Sequence, residues 1–73
     1  MLSVDWERFG ASVRAQAVAD AKHYTAIEKE LGISHARMIN AAQGKPLGTD
    51  IFLTLCNWMQ QDPMWFCSGA RDA

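Results

Sequence analysis

The stretch that decides the fold is Ile-Glu-Lys-Glu-Leu-Gly-Ile-Ser-His-Ala-Arg-Met-Ile-Asn-Ala-Ala-Gln-Gly, residues 27–44. Ile27 and Leu31 stand four apart, on one face of a short helix running from about 24 to 31. Gly32 follows at once, and glycine ends a helix in the left-handed conformation without a Cβ clash. Ile33 is apolar and Ser34 is a good N-cap, so a second short helix begins at about 35 and runs to about 43, where Gly44 closes it. Met38 and Ala41, with Ala42 beside them, are its inward candidates. The remaining positions, His35, Ala36, Arg37, Ile39, Asn40 and Gln43, are free to face outward.

Toward the N-terminus, Trp6, Phe9, Val13 and Ala17 recur at spacings of three and four, with Glu7, Arg8, Arg14 and Gln16 between them. That stripe predicts a helix from about 4 to 20, capped by Ser3 or Asp5. Toward the C-terminus, Lys45-Pro46-Leu47-Gly48 reads as a loop. Thr49 or Asp50 then caps a helix with a wide apolar face of Ile51, Phe52, Leu55, Cys56 and Met59. Asp62-Pro63 starts a last short turn through Met64, Trp65, Phe66 and Cys67. Residues 68–73 are expected to fray. No alternating strand pattern is visible, so the fold class is all-α, and residues 1–73 are expected to form one domain.

Composition agrees with a globular chain: 49% of residues are apolar and 21% charged. A domain of this size buries only about 60% of its unfolded surface, so self-association is a natural source of further stability. No apolar run is long enough for a membrane span, and Met1-Leu2-Ser3-Val4-Asp5-Trp6-Glu7 does not read as a signal peptide. A cytoplasmic location without membrane association is expected. Cys56 and Cys67 lie eleven apart, which suggests reduced thiols rather than a disulfide framework or a metal knuckle. No metal-binding motif, Gly-rich phosphate loop or nucleophile–base spacing is present, so neither an enzyme nor a cofactor is expected. Trp6, Phe9, Phe52 and Trp58 read as core aromatics rather than a ligand cage.

The net charge is −1, but Lys22, Lys29, Arg37 and Lys45 outweigh Glu28 and Glu30 in the middle of the chain. Two short helices around a glycine turn form the helix-turn-helix signature. The outward face of its second helix suits the major groove of DNA. Arginine pairs with guanine, asparagine and glutamine pair with adenine, and isoleucine or alanine touches the thymine methyl. Base contacts are therefore expected from His35, Ala36, Arg37, Ile39, Asn40 and Gln43, with Arg37 also able to take a phosphate. Ser34 sits at a helix N-terminus and suits a phosphate, and Lys22, Tyr24 and Lys45 flank the same face. Met64, Trp65 and Phe66 form a dense apolar run that one small domain cannot wholly bury, which makes them candidates for a dimer interface.

The sequence resembles the Cro/phage-repressor-like helix-turn-helix family, often called the XRE family, over about residues 6 to 66. The resemblance is carried by I-E-K-E-L-G-I-S at 27–34, Met38, Gly44, T-D-I-F-L-T-L-C-N-W-M at 49–59, D-P at 62–63 and Phe66. It implies a small five-helix, lambda-repressor-like DNA-binding domain with its recognition helix at about 35–43. It also implies a homodimer on a palindromic operator, and a transcriptional repressor or dual regulator of the kind frequent in phages and mobile elements. Such a protein is nucleoid-associated when bound to DNA. By the resemblance, His35, Ala36, Ile39 and Asn40 meet base edges, and Tyr24 stands where a phosphate-contacting glutamine is frequent. Three positions depart from the family pattern. Glu28 replaces a small alanine at the helix crossing and must turn outward or find a partner; Ala42 replaces a glutamate; His23 replaces a Ser or Thr cap. The alternative reading is a protein-interaction module on the same fold, an antagonist of another regulatory protein.

Overall fold

Asp5 starts the first helix by accepting a hydrogen bond from the Arg8 amide at 3.0 Å, which satisfies one of the donors that a helix N-terminus leaves free. In the computed structural model, which describes residues 3–68, helix α1 then spans Trp6–Ala19. It is followed by α2 (Tyr24–Leu31), α3 (His35–Ala42) and α4 (Thr49–Met59). The chain is mostly helical, as the apolar periodicity predicts. Gly48, not Thr49 or Asp50, occupies the N-cap of α4, and Asp50 instead places its negative charge in the first turn.

Two features depart from expectation. The final segment is a single 3-10 turn, Pro63–Phe66, rather than a fifth α-helix. Asp62 opens this turn by accepting from the Met64 amide at 3.0 Å. The turn then leads into an antiparallel pair of two-residue strands, β1 (Ser3–Val4) and β2 (Cys67–Ser68). Ser3 pairs with Ser68 and Val4 with Cys67, and the Asp5 amide donates to the Phe66 carbonyl at 2.7 Å. Two-residue strands are too short to show alternation in a sequence. Ser68, the first residue of the tail expected to fray, is thus paired with Ser3, and residues 69–73 lie outside the described residues.

The core gathers Phe9, Val13 and Ala17 of α1, Ile27 of α2, Met38, Ala41 and Ala42 of α3, and Phe52, Leu55, Cys56 and Met59 of α4. Ile33 from the turn and Phe66 from the 3-10 segment complete it. Alongside Phe52, which has as many ring partners, Phe9 is a hub of the aromatic packing. Its ring centroid lies 5.1 Å from those of both Phe52 and Phe66, in the edge-on and tilted geometries that aromatic quadrupoles favour. Trp6 and Trp58 are half-buried against this cluster. Both cysteines are free thiols, and burial pushes the Cys56 thiol up to about 11, with Cys67 and Asp62 adding to the effect.

Helix α3 is fixed mainly from α1. Gly10 lies in the middle of α1, where a glycine costs about 1 kcal/mol in helix propensity. A Cβ at this position would sit 2.8 Å from the Gly44 amide nitrogen and 2.9 Å from the Ala41 carbonyl oxygen. The missing side chain lets the end of α3 lie directly on α1. Gly44 turns there with φ +77°. One helical turn further along α1, Arg14 Nη1 donates to the Ala42 carbonyl. That bond satisfies a free acceptor and places a cation at the negative end of α3.

Replacing Gly10 by alanine tests this contact. Because the clash is with backbone atoms that cannot swing aside, overpacking costs toward the upper end of about 1–3 kcal/mol, and improved helix propensity returns only about 1. Thermal unfolding of Gly10→Ala should therefore show a Tm lowered by roughly 5–10 °C. An unchanged or raised Tm would mean that the two helices separate at no cost.

Candidate nucleic-acid interface

The turn between α2 and α3 is built as the sequence predicts. Gly32 takes φ +70°, and its amide and that of Ile33 both donate to the Glu28 carbonyl, at 2.8 and 3.0 Å. Ile33 is buried and so anchors the turn to the core. The Ser34 hydroxyl oxygen caps α3 by accepting from the Arg37 amide at 3.4 Å, which leaves the hydroxyl proton free for a ligand acceptor.

Burial of Met38, Ala41 and Ala42 fixes the rotation of α3. His35, Ala36, Arg37 and Gln43 are exposed, while Ile39 and Asn40 are half-buried at the margins of the outer face. Among the described residues, no side-chain hydrogen bond or ion pair engages Arg37, Asn40 or Gln43. These groups are therefore available to a ligand without breaking an internal contact. At the far end of α3, exposed Lys45 follows the Gly44 turn, and its amide donates to the Asn40 carbonyl at 2.9 Å.

The flank at the start of α2 is less open. Tyr24 is half-buried beside an open cleft of about 440 Å³ shared with Arg14, Val18, Lys22 and His23. His23 occupies the N-cap of α2 but gives no side-chain cap. Lys22 Nζ is paired with Glu30 Oε2 at 2.8 Å. The hydrogen bond and charge of Glu30 hold the Lys22 ammonium in its charged form. A phosphate at Lys22 must compete with Glu30, whereas one at Lys45 need not.

Glu28 finds a partner rather than turning outward. Its side chain is only 11% exposed, and its Oε2 lies 2.8 Å from His35 Nδ1. A carboxylate so nearly enclosed is costly unless it is hydrogen-bonded, and His35 answers that need across the turn. The spacing of seven residues matches no single-helix neighbour rule, so the pair depends on the turn and could not be read from either helix alone. Gly10 and Arg14, which hold α3 from behind, were likewise invisible as partners. The one signal was a lone glycine inside a helical stripe.

At the C-terminal surface, Met64 and Trp65 are 53% and 56% exposed. Phe66, expected with them at a dimer interface, is instead closed into the core at 1% exposure, because it packs edge-on against Phe9. The Arg8 guanidinium carbon lies 4.1 Å from the centroid of the Trp65 ring, a cation–π distance. No helix among the described residues is long and apolar enough to cross a membrane. No protein-family model, curated protein sequence or solved structure matches this chain.

The Glu28–His35 contact predicts energetic coupling across the turn. Unfolding of Glu28→Ala, His35→Ala and the double variant should give a coupling energy of about 1 kcal/mol. The single His35→Ala change, which leaves the carboxylate without its partner, should be the most destabilised of the three. Additive effects would show that the two side chains do not act on each other.

Proposed function

We propose that this chain is a sequence-specific double-stranded DNA-binding transcriptional regulator, a repressor or dual regulator, that inserts α3 into the major groove. The observation that carries the reading is the α2–Gly32–α3 unit, whose outer face offers Arg37, Asn40 and Gln43 without internal partners. Arginine recognises guanine O6 and N7, and the amides recognise adenine N6 and N7. Ala36 and Ile39 add apolar surface for a thymine methyl, and Ser34 and Lys45 stand at the two ends of α3 for phosphates. The proposed architecture is that of the lambda-repressor-like domains, with the fifth helix shortened to the Pro63–Phe66 turn.

The protein acts, on this reading, as a homodimer on a palindromic operator. Exposed Met64 and Trp65 supply apolar area for the dimer contact. The same two side chains favour a second reading, in which the fold docks on another regulatory protein as its antagonist.

Selection of the folded protein against random duplex DNA at low salt separates the two. Enrichment of a palindrome with half-sites about 34 Å apart, or a multiple of that, is the expected result. Log affinity should fall by about 0.9 per neutralised phosphate for each log unit of salt. Arg37→Ala should weaken operator binding about tenfold or more. Absence of enrichment would favour the protein-docking reading.

A further inference from the structure

Glu28 does more than satisfy its own burial. It accepts a hydrogen bond from the first residue of the exposed helix, on the side of the imidazole that faces α2. A carboxylate can only accept, so the proton shared with His35 belongs to Nδ1. When the ring is neutral it carries a single N–H, and the partner at Nδ1 leaves Nε2 as a bare acceptor. When the ring is protonated, Nε2 becomes a donor. His35 is 66% exposed on its side chain, so Nε2 remains accessible from solvent.

The charged groups bearing on His35 are few. Glu28 faces it from α2, and Arg37 lies two residues on along its own helix. From α1, Arg14 reaches α3 only at the opposite end, at the Ala42 carbonyl.

We propose that Glu28 is a positioning residue that fixes the His35 tautomer, so that His35 reads one operator base as an acceptor when neutral and as a donor when protonated. This rests on the DNA-binding reading above. A neutral His35 accepts from the amino group of cytosine or adenine, and a protonated one donates to O6 or N7 of guanine. The preferred base at one position of each half-site therefore differs between the neutral and the protonated ring. Glu28 contacts no base; its effect is exerted wholly through His35.

The test is selection on duplex DNA at about pH 8 and about pH 6, which bracket ordinary histidine titration. In the unaltered protein, the guanine-to-cytosine ratio at one position per half-site should rise about tenfold at the lower pH, the worth of one hydrogen bond to a charged group. His35→Ala should erase the preference at that position at both pH values. Glu28→Gln keeps the size of the side chain but puts there an amide that serves either tautomer. It should free the neutral ring to carry its proton on Nε2, so that at about pH 8 guanine gains several-fold on cytosine relative to the unaltered protein, while at about pH 6 the protonated ring still donates to guanine.

A preference at about pH 8 that Glu28→Gln leaves unchanged, or one indifferent to His35→Ala, overturns the inference while leaving the DNA reading intact. Nitrogen chemical shifts of the His35 ring in the free protein give an independent measurement. At about pH 8, where histidine is ordinarily neutral, they should place the proton on Nδ1, and a proton found mainly on Nε2 overturns the inference whatever DNA does. Failure of the folded, unaltered protein to bind any duplex at either pH overturns the DNA reading, and this inference with it.

Discussion

Everything exposed on α3 depends on a contact made behind it, where Gly10 of α1 meets the Ala41 carbonyl and the Gly44 amide with no side chain between them. An eight-residue helix is too short to hold itself in water. Its stability must come from tertiary packing, and its orientation from whatever fixes both of its ends. Ser34 and Ile33 fix the N-terminal end through the cap and the turn. Gly10, Gly44 and Arg14 fix the other end, through close backbone approach and a charged donor on the last carbonyls. The outer face is thus presented by an element held largely from behind, so Arg37, Asn40 and Gln43 can vary in chemistry without losing an internal side-chain contact, whereas His35 cannot, because it partners Glu28.

The same arrangement explains how, among the described residues, a core of thirteen apolar residues contains no buried polar side chain. Glu28, nearly enclosed, reaches a specific partner at the edge of the core, and exposed Arg14 bonds the end of α3 beside it. Arg14 takes the helix end, where a cation is favourable. Glu28 takes a histidine that the other helix brings to it. A small residue at the α2–α3 crossing would make closer packing at no electrostatic cost. A glutamate there makes the crossing conditional on a hydrogen bond, which links the geometry of the turn to the state of a titratable ring.

Much of this was legible in the sequence because it is local. The bounds of α2 and α3 follow from Ile27, Leu31, Gly32 and Ser34, each of which acts within one turn of helix. The inward and outward faces of α3 follow from 3.6-residue periodicity applied to Met38 and Ala41. What escaped were pairings set by tertiary geometry. The β1–β2 pair joins residues from opposite ends of the chain, and two residues carry no periodic signal. The place of Phe66 in the core could not be separated from exposure at Met64 and Trp65, since three consecutive apolar residues look alike until the 3-10 turn assigns them directions. The Glu28–His35 and Lys22–Glu30 partners each bridge two elements, so each depends on angles that no single-helix rule contains.

The charge pattern bears on how a chain with net charge −1 could select a DNA site. Non-specific affinity comes almost entirely from neutralised phosphates, so it scales with the number of cations free to meet them. Here Lys22 is shared with Glu30 and Arg8 lies over Trp65, while Arg37 and Lys45 border the outer face of α3. On the DNA-binding reading, so few free cations beside α3 would make the sequence-independent term small. Specificity is a ratio of affinities, and it improves when the non-specific member falls while base contacts are kept. A weakly charged surface around an α3 face rich in hydrogen-bonding side chains is therefore consistent with a reader that discriminates strongly and binds random sequence poorly. On the proposed function, the acidic balance of the chain, taken alone an argument against DNA, becomes part of that discrimination.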